Sequence, residues 1–108
     1  MDESPVIRRD QRGELPNPRV FPDNELVFPE LEAIDAEISR VLDRFGYQSL
    51  TLFDWASILG EEYGEVCKAI NDHEFGTGGG GDLQSVYEEC IQVAAVAVHM
   101  AAVIREAS

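Results

Sequence analysis

Three glutamates, Glu61, Glu62 and Glu65, crowd the start of the stretch GEEYGEVCKAINDHEF (60–75), and a fourth, Glu89, stands one helical turn before Gln92 in YEECIQVAAVAV (87–98). At about 100° per residue, Ile58, Glu62, Glu65 and Ala69 share a sector beside the main apolar stripe of one helix, with Glu61 rotated further outward. In the later helix Glu89 lies beside Val93, Val96 and Met100, with Gln92 one turn on. Each helix thus carries an acid at one position and an oxygen donor three residues later, on a partly apolar face. Packed together, two such helices bring three carboxylates and one amide oxygen toward a common point, an oxygen-rich cage suited to Mg²⁺ or Mn²⁺. Carboxylates held that close raise one another's pKa and oppose folding unless a cation neutralises them. On spacing, the other reading stays open, in which these acids form an ordinary solvated helix face.

The elements that position these residues are helices. Leu31, Ile34, Ile38, Val41, Leu42 and Phe45 recur at three- and four-residue steps, predicting a first helix over 30–45 with Pro29 at its start and Gly46 at its C-terminal cap. Thr51 and Asp54 have the spacing of a capping box, opening a second helix over 52–72 with a stripe of Leu52, Trp55, Ala56, Leu59, Tyr63, Val66 and Ile70. The run EFGTGGGGD breaks it, because consecutive glycines cost too much backbone entropy to stay helical. That run lacks the preceding strand and the following Lys-Ser/Thr of a phosphate-binding loop, so it reads as a connector. Asp82 caps a third helix over 83–105, in which CIQVAAVAVHMAAVI holds only Gln92 and His99 as polar residues. A helix that is apolar nearly all round requires cover nearly all round, and with two other helices in the chain the simplest cover is a second subunit.

Composition narrows the class of function. The 108 residues carry a formal charge of −13, and four basic against fifteen acidic residues in 30–108 place about −11 of it on the body. Such a surface does not suit duplex nucleic acid, whose phosphates require clustered Lys and Arg. It admits an anionic substrate where cations intervene. All five prolines fall within residues 1–29, which read as an N-terminal arm preceding a helical domain over 30–108. The start MDESPVIRRD lacks a signal-peptide core, and VAAVAV is shorter than the ~20 apolar residues that span a bilayer, so the expectation is a cytoplasmic protein with no membrane partner. Cys67 and Cys90 lack further ligands at metal spacing and read as reduced, buried thiols.

ILGEEYGEVCKAI followed by YEECIQVAAVAV resembles the MazG-like proteins of the all-α nucleoside triphosphate pyrophosphohydrolases, marked by E-E-x-x-E on one helix and E-x-x-D on the next. The resemblance covers about 55–104. It implies an all-α fold, an antiparallel bundle of about three main helices per chain completed by homo-oligomerisation into a dimer or tetramer. It also implies Mg²⁺-dependent hydrolysis of a nucleoside triphosphate, between the α and β phosphorus, to monophosphate and pyrophosphate. Carried over by position, Glu62, Glu65 and Glu89 are metal ligands with Gln92 where the family motif has aspartate, and Glu61 is the catalytic residue that holds a second metal or orients the water. Gln92 replaces a charged ligand by a neutral one. Larger relatives place phosphate-binding cations after the third helix, whereas this chain ends at Ser108 with only Arg105 available. Lys68, His73 or the arm arginines Arg8, Arg9, Arg12 and Arg19 are the substitutes.

Lys68, Phe53 and Trp55 are the candidate substrate-binding residues, with Tyr47 a further aromatic for stacking on a base. Trp55 lies on the main stripe and fits core packing, Lys68 follows Glu65 at ion-pair spacing, and His99 fits a core or interface histidine. The alternative function is a catalytically inactive helical module for oligomerisation or partner binding, and a third is an acidic protein that uses its arm to bind another macromolecule.

Overall fold

The computed structural model describes residues 28–46, 49–76 and 82–107. These form three helices and no strand: α1 (Phe28–Phe45), α2 (Leu52–Phe75) and α3 (Leu83–Ala107). Residues 1–27 of the arm expected over 1–29, Tyr47 and the glycines 78–81 of the connector lie outside the described residues, while the last two arm residues, Phe28 and Pro29, belong to α1.

Local chemistry sets the helix ends. α1 starts two residues before the expected position and takes Pro29 into its first turn, where a missing N–H is harmless because that donor has no partner within the helix. It ends at Gly46, whose φ of +69° lets its N–H reach the Leu42 carbonyl at 2.8 Å. At the start of α2, the Asp54 N–H donates to Thr51 Oγ1 at 3.1 Å and the Thr51 N–H donates to Asp54 Oδ2 at 2.9 Å. This is the reciprocal box read from sequence. α2 runs three residues past its expected end, closing where the Gly76 N–H donates to the Asp72 carbonyl at 2.9 Å. Asp82 caps α3, its Oδ1 accepting from the Ser85 N–H at 2.8 Å and from Ser85 Oγ at 2.9 Å. Those bonds hold the Asp82 carboxyl below its usual pKa.

α3 packs against both other helices. Toward one end Tyr87 donates to Glu30 Oε2 at 2.9 Å, and burial together with that bond pushes the phenol up to about 12. Toward the other, the Trp55 and His99 rings meet edge-on at 5.1 Å.

The apolar contact is smaller than the apolar surface. Trp55, Ala69 and Ala95 are the buried hydrophobic residues among those described, whereas Leu31, Phe45, Leu52, Tyr63, Ile70, Val98 and Ile104 are exposed. On α2 the face turned inward holds Trp55, Ile58, Glu62, Val66 and Ala69, so Leu52, Ala56, Tyr63 and Ile70 of the expected stripe remain open. α1 is turned likewise, half-burying Ile34, Glu37 and Val41 while Leu31 and Phe45 stay open. α3 is long and apolar enough to cross a membrane, with a mean hydropathy of 1.5 over an 18-residue window of which 6% is buried. The central helix of a water-soluble bundle has the same length and composition.

Candidate metal centre

The inward turn of α2 carries Glu62 toward α3. Ile58 and Ala69, one turn before and two turns after, are half-buried and buried, and they draw the intervening carboxylate out of water. Glu62 Oε2 is buried without a hydrogen-bond partner, and so is Glu89 Oε2 on α3. A buried carboxylate oxygen with nothing to accept from is costly, since it has lost water and gained no donor.

Electrostatics shows how the acids face one another. The Glu62 carboxyl is pushed above its usual pKa, first by burial and then by repulsion from Glu89, Glu65, Glu37 and Glu61. Glu89 is raised by burial first, then by Glu65 and Glu88, with Lys68 opposing. Glu62, Glu65 and Glu89 therefore influence one another's ionisation across α2 and α3.

Two cavities border them. The larger, about 430 Å³, lies between the three helices, and Glu37 and Arg40 of α1, Trp55 and Glu62 of α2, and Gln92 and His99 of α3 line it. The smaller, about 160 Å³, is lined by Glu65, Lys68, Asp72, Ser85 and Glu89. The four expected ligands are thus divided, Glu62 with Gln92 on one cavity and Glu65 with Glu89 on the other. Among the described residues no three of His, Cys, Asp and Glu are gathered into a metal-holding group. Carboxylates and an amide are the donor types a hard cation takes, and two of the carboxylate oxygens, Glu62 Oε2 and Glu89 Oε2, are buried without hydrogen-bond donors.

The other expected residues fall in different places. Glu61 is exposed beside Glu62, and Lys68 is exposed at the smaller cavity. Phe53 is 86% exposed and lines neither cavity, whereas Trp55 is 7% exposed with a buried, partnerless Nε1 on the larger one. Cys67 is half-buried and Cys90 exposed, so burial fits the first better than the second.

Glu37 and Arg40 escape the sequence reading. Arg40 Nε donates to Glu37 Oε2 at 3.1 Å and Nη2 donates to Oε1 at 2.7 Å. The pair raises the Arg40 pKa further, with Glu62 adding a smaller push. The three-residue spacing of Glu37 and Arg40 is that of any helical ion pair, and the signal available in sequence is that Glu37 adjoins Ile38 on the edge of the α1 stripe.

No family model matches the chain, and neither a curated protein nor a solved structure shows a significant match to it.

Proposed function

We propose that this protein is a Mg²⁺-dependent nucleoside triphosphate pyrophosphohydrolase, all-α and cytoplasmic, in which antiparallel helices from two or four copies complete the bundle. The observation that carries the reading is the pair of buried, partnerless oxygens of Glu62 and Glu89 on neighbouring helices. Together with the E-E-x-x-E spacing, they supply carboxylates whose unfavourable burial a cation would relieve. Glu62, Glu65, Glu89 and Gln92 would hold Mg²⁺ or Mn²⁺, which when bound neutralises phosphate charge and lowers the pKa of a water. Glu61, exposed next to Glu62, would orient the attacking water or accept its proton. The cavity between the helices would take the nucleoside end of the substrate and adjoining phosphate, with Trp55 on its wall. Lys68, at the other cavity, would be a second cation for phosphate.

A second reading, a helical oligomerisation or partner-binding module without turnover, draws on Gln92 and on the division of the ligands between two cavities. Pyrophosphate release decides between them. With ordinary ribo- and deoxyribonucleoside triphosphates and Mg²⁺ or Mn²⁺, the enzyme reading expects turnover on at least one base, reduced about a hundredfold or more in Glu62→Gln. A folded protein that releases no pyrophosphate with either metal would establish the module instead.

A further inference from the structure

We propose that Arg40 is the phosphate-binding cation of the larger cavity and that Glu37 positions its guanidinium for that task. The inference rests on the pyrophosphohydrolase reading and adds to it a helix that lies outside the E-E-x-x-E and E-x-x-D elements.

A triphosphate brought to an acidic body needs a cation besides the metal. The described residues hold four Lys and Arg side chains, Arg40, Arg44, Lys68 and Arg105. Arg44 covers the Phe45 ring at 5.1 Å from its centroid, and Arg105 lies 3.4 Å from Glu106 at the far end of α3. Lys68 borders the smaller cavity, while Arg40 lines the larger one together with Glu62 and Gln92.

Geometry separates Arg40 from an ordinary surface pair. Its partner is not a freely solvated acid: the Glu37 side chain is 18% exposed, against 53% for Arg40. Glu37 turns toward the cavity and is close enough to repel Glu62. The bidentate bond uses Nε and one hydrogen of Nη2, which leaves three of the five guanidinium N–H donors for another ligand. A guanidinium held on one edge and open on the other suits a phosphate, whose oxygens accept two parallel bonds. The same cavity carries a second group without a partner, the indole N–H of Trp55, in a side chain that is 7% exposed. A ligand that bears both an anionic tail and a hydrogen-bonding ring answers the two features at once.

Calorimetric binding of the α,β-imido analogues of dATP, dCTP, dGTP and dTTP with Mg²⁺ tests the assignment without relying on turnover. Wild-type protein is expected to bind at least one analogue, and Arg40→Ala to bind it about tenfold or more weakly. Arg40→Lys should recover part of the loss, because a lysine supplies charge without the fork. Glu37→Gln should weaken binding through a loosened Arg40, and that effect should vanish in an Arg40→Ala background. Arg40 is half-exposed, and far-UV circular dichroism checks that each variant keeps its helices. If wild type binds an analogue and Arg40→Ala binds it equally well, Arg40 is only a helical ion pair and the proposal falls while the enzyme reading stands. If wild type binds none of these analogues nor their ribonucleotide counterparts, both fall together.

Discussion

At the scale of the residue, Glu62 concentrates what is unusual here. Its neighbours on α2 place it against α3, and Glu89, Glu65, Glu37 and Glu61 all resist its ionisation. A carboxyl with a raised pKa in the folded state binds more protons than its unfolded counterpart, so stability falls as pH rises from the unfolded value through the folded one. Glu62 and Glu89 are both raised from 4.5. Their contribution acts above that value, with the fold relieved as pH drops toward it. Asp82 has the opposite sign, since its cap bonds lower it from 3.8 and their contribution is lost only in stronger acid. The two windows do not overlap. Thermal melts in chelator are therefore expected to show a midpoint that rises as pH falls from neutrality toward 4.5, with Glu62→Gln flattening the rise. A wild-type midpoint insensitive to pH over that interval would contradict the inward placement of Glu62. Helical periodicity fixes which carboxylates of one helix share a sector, as with Glu62 and Glu65, but not how side chains of two helices divide between cavities, and the four expected ligands line two of them. It did not reveal Glu37, whose burial depends on how α1 turns about its own axis when it meets α3.

At the scale of the element, sequence reached the ends of the helices more surely than their faces. Thr51 with Asp54, Asp82 with Ser85, and Gly46 at positive φ are local arrangements, each satisfied by groups within four residues. Such chemistry does not need the rest of the fold to be known. Faces are different. The apolar stripe of α2 marks which residues avoid water, but α3 takes one side of it, and the stripe of α1 is divided in the same manner. No periodicity in a single sequence says which side goes to which neighbour. The α2 cap lends itself to measurement: Thr51→Ala removes the acceptor for the Asp54 N–H and should cost about 1 kcal/mol. For a domain this small that corresponds to a fall of roughly 4–8 °C in midpoint. A change within error would mean that tertiary contacts, and not the box, hold the start of α2.

At the scale of the whole molecule, the exposed half of each stripe becomes the main fact. Leu52, Tyr63 and Ile70 on α2 and Val98 and Ile104 on α3 are all more than two-fifths exposed, and α3 has cover on only part of an apolar circumference. Large apolar side chains left open along two helices favour association, and a chain of this length gains stability from it. A second copy laid on these faces would give α3 the surroundings its sequence calls for, and would add apolar cover beside Glu62 and Glu89. Sedimentation without detergent is expected to show a dimer or tetramer at micromolar protein, with a melting midpoint that climbs with concentration. Val98→Asp should shift the distribution toward monomer and remove that concentration dependence, since an unpaired carboxylate in an apolar interface costs several kcal/mol. A competing explanation of the same surface has its own signature. If α3 is apolar because it enters a bilayer, the wild-type chain will be monomeric in detergent and will float with lipid vesicles, and Val98→Asp will weaken flotation without altering any self-association. The two results exclude one another, because the residues that a second copy would cover are the ones that lipid would have to reach.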